Sequence, residues 1–489
     1  MTLKEVQTLA RSGDYRRIPV SRELYADRKT PIEVLRILKN VSSHCYLLES
    51  VEDSKQWGRY TFLGYDPSME ITCKDGNMKL TSRKETRAFA VSHPGEEIRR
   101  ILKDYRSPRV EGMPTFTGGL VGYFSYDYVK YGEPSLKLKG KDEEGFQDVD
   151  LMLFDKVIAF DHFRQKILLI VNVDTADLPR DFERAENELR RMEELILHGV
   201  PAQETPLKLT SSFRRLFTEE EYCAMVERGK AYIREGDIFQ VVLSNRIDAD
   251  MEGSLLDAYR VLRTTNPSPY MFYFTSDHIE IAGASPETLV KLHDGKLYTY
   301  PLAGTRPRGK TKEEDKRLEE ELLADEKERA EHNMLVDLGR NDIGRISEIG
   351  SVNVESYMNI ERYSHVMHIG STVTGQIRRG LDAINAVDSI LPAGTLSGAP
   401  KIRACEIIHE LEGNKRGIYG GAIGYLDFSG NLDVCIAIRI AFAKNGKVFV
   451  RSGAGIVADS VPKLEYQECL NKAKAVLNAL ETADRREGL

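Results

Sequence analysis

The sequence predicts an α+β fold in which helices pack on largely antiparallel sheets. Two strand patterns in the run "DVCIAIRIAFAKNGKVFVRSGAGI" meet at Asn445-Gly446, a dipeptide that strongly favours a two-residue β-hairpin turn. Strands and helices alternate irregularly through the second half of the 489 residues, unlike the regular succession of a parallel sheet. Consecutive strands joined by hairpins and covered by helices therefore indicate the α+β class.

Composition narrows the classes of function. The chain is 41% hydrophobic and 30% charged, as is ordinary for a globular protein, and its net charge of -7 argues against a nucleic-acid-binding surface. The apolar runs are too short to span a bilayer, and the first twenty residues lack the apolar core of a secretory signal, so no membrane association is expected. Six scattered cysteines without a C-x-x-C pair suit a cytoplasmic location and argue against zinc.

The elements of the first half mix short helix and strand patterns, and we expect residues 15–175 to form one lobe. Helical spacing recurs over 31–40 and 96–105, while 118–129 and 155–173 have strand patterns. A charged helix pattern and a polar stretch rich in Pro, Ser and Thr then connect the halves over 176–214.

A second lobe is expected over residues 215–482. It begins with a capping box formed by Thr218 and Glu221, and Gly236 is placed to end the helix that follows. The later helical patterns lie around 254–264, 312–338, 398–412 and 462–482.

Two Glu-x-x-Glu pairs occur in helix patterns of this second lobe. Residues three apart share a helix face, so Glu328 with Glu331, and Glu465 with Glu468, each present two carboxylates in one direction. Such pairs are common on solvated helices, and the same spacing at Glu183 is an example. The alternative is a Mg²⁺ site, because two helices together offer four hard oxygen ligands.

Glycine-rich turns are candidate anion sites. Gly304-Thr305 is expected to follow a strand, and Thr395 lies in a turn entering a helix with Pro400 in its first turn. A third candidate is the turn Gly453-Ala454-Gly455, read as a strand-to-helix connection where backbone can approach a ligand. For an isolated pair such as Gly304-Thr305, a plain surface turn is the competing interpretation.

Two kinds of side chain add possible chemistry. His365 and His368 fall in one strand pattern and point to opposite faces, so at most one enters a given site, and either also suits a structural role. Arg439 is one charge in an otherwise apolar strand pattern, so it must meet an anion or reach solvent.

Taken in order, five motifs resemble those of the chorismate-utilising enzymes, most closely the anthranilate synthase component I branch. The resemblance covers residues 215–482 and is weaker over the first half. It implies a two-lobed chorismate-binding fold with the active site in the cleft. The motifs are "PLAGTRPRG", "AEHNMLVDLGRNDIGR", "LPAGTLSGAPKIRA", "YGGAIGY" and "SGAGIVADS…EYQE".

The resemblance implies roles for matching positions. Glu331 and Glu468 match the principal Mg²⁺ ligands, with Glu328 and Glu465 as their partners. His368 and Thr395 match residues at the reacting ring, with His368 in proton transfer. The positions matching those that hold chorismate are Gly304, Thr305, Tyr419, Arg439, Gly453, Ala454 and Gly455.

The branch of the family is indicated by two absent lysines. Aminodeoxychorismate synthases often carry a nucleophilic lysine where Ala303 stands here, and isochorismate-forming relatives a water-activating lysine where Gln240 stands. The resemblance therefore implies conversion of chorismate and ammonia to anthranilate and pyruvate, the first committed step of tryptophan biosynthesis. Aminodeoxychorismate synthase component I is the alternative, because some of those enzymes also lack the first lysine.

Regulation and partners are implied by the same resemblance. Ser50 in "CYLLESVE", with Pro269, Tyr270 and Met271 in "NPSPYMFYF", matches the effector site of tryptophan-inhibited relatives. No cysteine stands in a G-x-C-x-G turn, so the chain is expected to take ammonia from a separate glutamine amidotransferase subunit, anthranilate synthase component II.

Overall fold

Two large antiparallel sheets face each other, with helices packed on their outer faces, which confirms the α+β prediction. The computed structural model describes residues 1–50, 58–138, 140–362 and 366–486, so His365 lies outside the described residues. The α-helices of this part of the chain are α1 Leu3–Arg11, α2 Pro31–Lys39, α3 Pro94–Asp104, α4 Val129–Gly132, α5 Leu178–His198, α6 Glu219–Arg234, α7 Leu256–Thr265, α8 Lys312–Ala324, α9 Glu326–Gly344, α10 Ala383–Ile390, α11 Lys401–Glu412 and α12 Pro462–Arg485.

The first sheet joins strands from both halves of the chain. Its main path runs β1-β10-β9-β3-β2-β14-β15-β24-β25-β13-β11, and β12 and β21 also pair with β13. These strands are β1 Arg17–Tyr25, β2 Cys45–Glu49, β3 Tyr60–Tyr65, β9 Lys156–Asp161, β10 Lys166–Asp174, β11 Lys208–Leu209, β12 Arg214–Arg215, β13 Gln240–Glu252, β14 Tyr270–Thr275, β15 Glu280–Ser285, β21 Gly398–Ala399, β24 Ile440–Lys444 and β25 Lys447–Ile456.

The second sheet is also shared by both halves. Its path runs β18-β20-β17-β16-β23-β22-β7-β8-β4-β5-β6, with β19 paired to β20. The division into two lobes, 15–175 and 215–482, joined by the connection 176–214 stays a prediction. The strands are β4 Met69–Lys74, β5 Asn77–Ser82, β6 Thr86–Ala90, β7 Gly119–Phe124, β8 Val149–Phe154, β16 Thr288–His293, β17 Lys296–Thr299, β18 Leu302–Pro307, β19 Asn353–Arg362, β20 Val366–Gln376, β22 Ala422–Asp427 and β23 Leu432–Ile436.

An aromatic-rich core fills the space between the two sheets. Phe62, Phe272 and Phe274 of the first sheet meet Tyr123 and Phe154 of the second within one buried cluster. A larger apolar cluster packs helices such as α2, α5, α7 and α12 on the outer face of the first sheet, and another packs α3, α9 and α10 on the second. Burial of this apolar surface is the main driving force that holds the layers together.

Local signals set the ends of the helices. The capping box of α6 is confirmed, since the Thr218 side chain accepts from the Glu221 amide and the Glu221 side chain from the Thr218 amide. The single helical pattern predicted over 312–338 is two helices, because the Asp325 side chain accepts from the amides of Lys327 and Glu328 and starts α9 anew. Among the helices of the described residues, none is long and apolar enough to cross a membrane.

Two of the places where the chain passes from one sheet to the other lie next to each other. After β15 of the first sheet it crosses through Glu287 to β16 of the second, and after β23 of the second it crosses through Arg439 to β24 of the first. The Asn445-Gly446 hairpin is confirmed, but the apolar run before it is not one strand. Arg439 has a φ of 53° and lies outside both strands, which corrects its predicted strand position.

Candidate active site at the sheet crossings

The two crossings bring Glu287 and Arg439 together. β15 pairs with β24 and β16 pairs with β23, so the crossing segments run side by side. Burial lowers the pKa of the Arg439 guanidinium, while the charges of Tyr419 and Glu287 raise it. Sequence reasoning missed Glu287. The signal that identified Arg439 was available here too, since Glu287 is the one charge in the stretch "IAGASPETLV".

Glu287 is held as a protonatable acid. Burial raises the pKa of its carboxyl to about 7, against the stabilising hydrogen bond that the Thr395 hydroxyl donates to its Oε1 at 2.9 Å. Thr395 lies in a short 3₁₀ turn, Gly394–Leu396, and Pro400 is the N-cap of α11. The predicted order of a turn followed by a helix is confirmed, and the two-residue strand β21 separates the turn of Thr395 from α11.

His368 of β20 faces the same space. Its Nδ1 lies 2.7 Å from the carbonyl oxygen of Gly304 and 3.1 Å from the Thr305 hydroxyl. A carbonyl oxygen only accepts, so Nδ1 carries the hydrogen and the neutral ring keeps its lone pair on Nε2. Burial lowers the pKa of His368, and the positive charge of Arg439 lowers it further, so the neutral form is favoured.

Gly304 and Thr305 lie inside β18, not after a strand as predicted. The pairing of β18 with β20 shifts register between Ala303 and Arg306, and at this bulge Gly304 takes a φ of 66°. A Cβ on Gly304 would meet Glu328 Oε2 at 3.1 Å, so the missing side chain lets the bulge approach the acidic face of α9.

The four glutamates of the two pairs belong to α9 and α12, and their charges act on one another. Burial raises the pKa of Glu331, and the charges of Glu328 and Glu468 raise it further. Burial and Glu468 likewise raise the pKa of Glu465. The Lys472 ammonium, which sequence reasoning missed, lies 2.7 Å from Glu468 Oε1.

The donor chemistry of this acidic face fits a hard divalent cation. Carboxylates that raise one another's pKa need a compensating positive charge, and oxygen ligands are those that Mg²⁺ prefers. Within the described ranges, no three His, Cys, Asp or Glu side chains are arranged to hold a metal ion. The metal role of Glu328, Glu331, Glu465 and Glu468 therefore stays a proposal.

The glycines of 453–455 lie in a strand, not in the predicted turn. Gly453, Ala454 and Gly455 pair with Ser244, Leu243 and Val242 of β13. A Cβ on Gly453 would lie 3.1 Å from the Tyr419 hydroxyl, and one on Gly455 would lie 2.6 Å from Gln240 Nε2. The missing side chains leave room at the end of β25 beside Tyr419 and Gln240.

A buried ionic network of Arg416, Glu412 and Arg451 contacts Tyr419 and the turn that holds Thr395. Arg416 donates to Glu412 Oε1 at 2.6 Å and to the carbonyl of Leu396 at 2.6 Å, and its guanidinium carbon lies 5.8 Å from the centre of the Tyr419 ring. Arg451 donates to the other oxygen of Glu412 at 2.7 Å. Because the network binds the residue after Thr395, it fixes the turn that holds Thr395.

The Arg439 cation, the Glu287 acid and the neutral His368 ring therefore surround one space. The acidic faces of α9 and α12 lie beside it. A sequence model of the family described as chorismate binding enzyme matches residues 43–478. The chain belongs to the chorismate-binding enzyme family. A curated relative named anthranilate synthase component 1, from Acetivibrio thermocellus, is 46% identical over 494 residues, which covers 99% of this chain and 98% of the relative.

Solved structures of the family agree with this assignment. The crystal structure of anthranilate synthase component I from Streptococcus pneumoniae has a TM-score of 0.76 and 39% identity, and the match covers 88% of this chain and 94% of that chain. The menaquinone-specific isochorismate synthase of Escherichia coli shares the fold at a TM-score of 0.70 and 18% identity, over 98% of each chain. The similarity to anthranilate synthase component I extends over most of this chain, at 46% identity to the curated relative and 39% identity to the solved structure.

A second pocket of this family member lies between the two sheets, and we call it the interlayer pocket. It measures about 300 Å³ and is lined by β2, β3 and β14 of the first sheet and β16, β22 and β23 of the second. The structure brings the four predicted effector residues together in its wall: Ser50, Pro269, Tyr270 and Met271. Within the described part of the chain, the buried Ser50 hydroxyl forms no hydrogen bond.

Proposed function

We propose that this chain is the large subunit of an anthranilate synthase, which converts chorismate and ammonia to anthranilate, pyruvate and water. The proposal is carried by one observation, the two neighbouring sheet crossings that bring the Arg439 cation near the Glu287 carboxyl, whose pKa burial raises to about 7. The full-length similarity to anthranilate synthase component I supports it.

Substrate binding follows from the charges of the site. Chorismate carries two carboxylates, and Arg439 together with the backbone amides of Gly453–Gly455 binds the one on the enolpyruvyl group. Gly304, Thr305 and Tyr419 complete the wall around the ring. Because Arg439 is half-buried, water only partly screens its attraction for an anion.

The acidic faces of α9 and α12 would hold Mg²⁺. Glu331 and Glu468 would be its ligands, with Glu328 and Glu465 beside them, and the ion would supply positive charge at the ring carboxylate of chorismate. Lys472 neutralises Glu468 when no cation is bound.

Four proton transfers balance the reaction, and the site has a donor for one and an acceptor for another. Ammonia adds at C2 while the C4 hydroxyl leaves as water, and Glu287 donates the proton to that hydroxyl because its carboxyl is neutral up to a pH of about 7. His368 accepts the C2 proton on Nε2 when pyruvate is eliminated, since Nδ1 is fixed as a donor to Gly304. The added nitrogen also loses a proton, which restores the Glu287 acid, and the departing enolate of pyruvate gains one at its methylene carbon. Thr395 holds the Glu287 carboxyl in place.

The neutral side chains of Ala303 and Gln240 favour this branch of the family. Gln240 approaches Gly455, and Ala303 is buried next to Gly304, so neither a nucleophilic amine nor a water-activating lysine stands at these two positions. Aminodeoxychorismate synthase component I, which the sequence left as the alternative, has no observation in its favour.

Ammonia comes from a glutamine amidotransferase partner. A glutaminase nucleophile needs a cysteine whose pKa is lowered. Burial raises the pKa of every cysteine in the chain, and none is in a disulfide, as suits a cytoplasmic enzyme. Cys405 is buried inside α11.

The interlayer pocket binds tryptophan as a feedback inhibitor. Its apolar and aromatic walls suit an indole ring, and the Ser50 hydroxyl, which has no partner among the described residues, suits a polar group of an amino acid. Glu49 is already bound by Tyr259 and Arg263, which holds the floor of the pocket in place.

The experiment that tests the function is an incubation of the purified chain with chorismate, Mg²⁺ and ammonium. Formation of fluorescent anthranilate supports the proposal. Consumption of chorismate without anthranilate contradicts it, and an amino-chorismate product would instead favour the aminodeoxychorismate branch. Repeating the assay with increasing concentrations of tryptophan tests whether tryptophan inhibits anthranilate formation.

A further inference from the structure

Tyr270 connects the interlayer pocket to the strands that carry the catalytic groups. Its ring lines the pocket, and its hydroxyl lies 2.8 Å from Asp433 Oδ1 and 2.9 Å from Thr288 Oγ1. The carboxylate only accepts, so the Tyr270 hydroxyl donates to Asp433, and the Thr288 hydroxyl is then its donor. Asp433 belongs to β23 and Thr288 to β16, the two strands at the sheet crossings.

The bonded strands lead directly to the site. Thr288 follows Glu287 in the chain, and β23 ends three residues before Arg439. The Ile436 amide donates to the Glu287 carbonyl at 2.9 Å, and the Ser285 hydroxyl donates to the Ile436 carbonyl at 2.7 Å. A displacement of either strand therefore moves the acid and the cation together.

We propose that Tyr270 is a positioning residue that couples the interlayer pocket to catalysis: its hydroxyl holds β16 and β23, and so Glu287 and Arg439, in their working arrangement. A ligand that displaces the Tyr270 ring weakens its hydrogen bonds to Asp433 and Thr288. The crossing segments that carry Glu287 and Arg439 can then move out of their working arrangement. The inference rests on the proposed function, because it takes the pocket as a tryptophan site and the crossings as the chorismate site.

The energetics follow from linkage. A pocket ligand inhibits only if it binds the released arrangement better than the working one, and chorismate then weakens tryptophan binding by the same factor. Without the Tyr270 hydroxyl, the working arrangement of β16 and β23 is less stable, and a ligand in the interlayer pocket can no longer shift these strands through the two hydrogen bonds. We expect loss of one such hydrogen bond to change kcat by roughly three- to tenfold.

The test compares Tyr270→Phe with wild type in two measurements, tryptophan binding by calorimetry and anthranilate formation at saturating tryptophan. Thr288→Val removes the other hydroxyl of the same contact. Tyr128→Phe is the control, because the buried Tyr128 likewise donates its hydroxyl to an aspartate, Asp388, at 2.8 Å and does not line the interlayer pocket. Thermal unfolding of all three variants checks that they fold.

The expected result is that Tyr270→Phe and Thr288→Val still bind tryptophan, turn over more slowly, and keep a several-fold larger share of their own activity at saturating tryptophan. Tyr128→Phe is inhibited as fully as wild type. Full inhibition of Tyr270→Phe would overturn the inference, and so would loss of tryptophan binding, which would make the hydroxyl part of the binding site. A wild type that forms no anthranilate refutes the proposed function itself, and one that forms it but ignores tryptophan refutes the regulation alone.

Discussion

The Thr395 hydroxyl donates a 2.9 Å hydrogen bond to the buried carboxyl of Glu287. This contact joins the 3₁₀ turn after α10 to the crossing between the two sheets, so two distant segments fix one acid. The pKa of the carboxyl rises to about 7, because burial destabilises its charged form more than the hydrogen bond stabilises it, so much of it is protonated near neutral pH. The site therefore holds a proton donor whose strength is set by burial and adjusted by Thr395.

Replacing Glu287 with Gln removes the proton donor and keeps the shape. We expect kcat to fall by about 10²–10⁴-fold, the range for loss of a general acid. In the wild type, kcat/KM should fall as the pH rises through about 7, since the ionised carboxyl cannot donate. Rates are compared at constant uncharged ammonia. A wild-type profile that keeps rising well above pH 7, with Glu287→Gln retaining full activity, would contradict this role.

Replacing Thr395 with Val removes the hydrogen bond that stabilises the charged form of Glu287. The pKa of Glu287 rises further, so the alkaline limb of the pH profile should move upward by up to about one pH unit. Thr264→Val is the control, because the Thr264 hydroxyl donates to Val261 in α7, away from the site. An unmoved alkaline limb in Thr395→Val would show that the two residues are not coupled.

Replacing His368 with Asn keeps a donor near the Nδ1 position and deletes Nε2. The bond to the Gly304 carbonyl is retained, so chorismate binding should change little while kcat falls by about 10²–10⁴-fold. Steady-state kinetics separate kcat from KM, and the exposed His278→Asn serves as the control. Wild-type kcat in His368→Asn would rule out this ring as the base.

Replacing Glu331 with Gln removes one charge from the acidic face of α9. We expect the Mg²⁺ concentration for half-maximal activity to rise at least about tenfold, as for loss of a carboxylate ligand. Glu183→Gln is the matched control, since Glu183 has the same Glu-x-x-Glu spacing in the exposed part of α5. Binding of Mn²⁺ measured by electron spin resonance gives a second measurement that does not depend on turnover. Unchanged metal dependence in Glu331→Gln would refute the metal site.

Replacing Arg416 with Met leaves Glu412 buried with one arginine instead of two. Breaking a buried ion pair from one side costs about 3–5 kcal/mol in the free energy of unfolding. Burial opposes the charge of Glu412, but Arg416 and Arg451 lower its pKa, so the network is ionised in the folded protein. Urea unfolding measures the loss. A change below about 1 kcal/mol would show that Arg451 alone stabilises the carboxylate.

Much of the fold was predictable because it depends on local chemistry. The Thr218–Glu221 capping box and the Asn445-Gly446 turn are set by neighbouring residues, and both are confirmed. The exchange of strands between sheets was not predictable, because an apolar strand reads the same in either layer. Arg439 therefore looked like a charge within one strand, although it stands between two.

The site residues were predictable where residue type and motif order identify them. The prediction failed where a residue's role depends on contacts between segments that are distant in the sequence. Glu287 is the one charge in its stretch of sequence, but a single acid between two strand patterns is common, and its raised pKa arises from burial by segments far away in sequence. The glycines at 453 and 455 were read as a turn, since glycine is frequent there. In the structure they keep side chains away from Tyr419 and Gln240 inside a strand.

The most direct test of the account is the product balance of the purified chain supplied with chorismate, Mg²⁺ and ¹⁵N-labelled ammonium. We predict one ¹⁵N-labelled anthranilate and one pyruvate for each chorismate consumed, and a rate at least about 10²-fold lower for Glu287→Gln. Conversion of chorismate to a product without nitrogen, or to an amino-chorismate that keeps its enolpyruvyl group, would contradict the central claim.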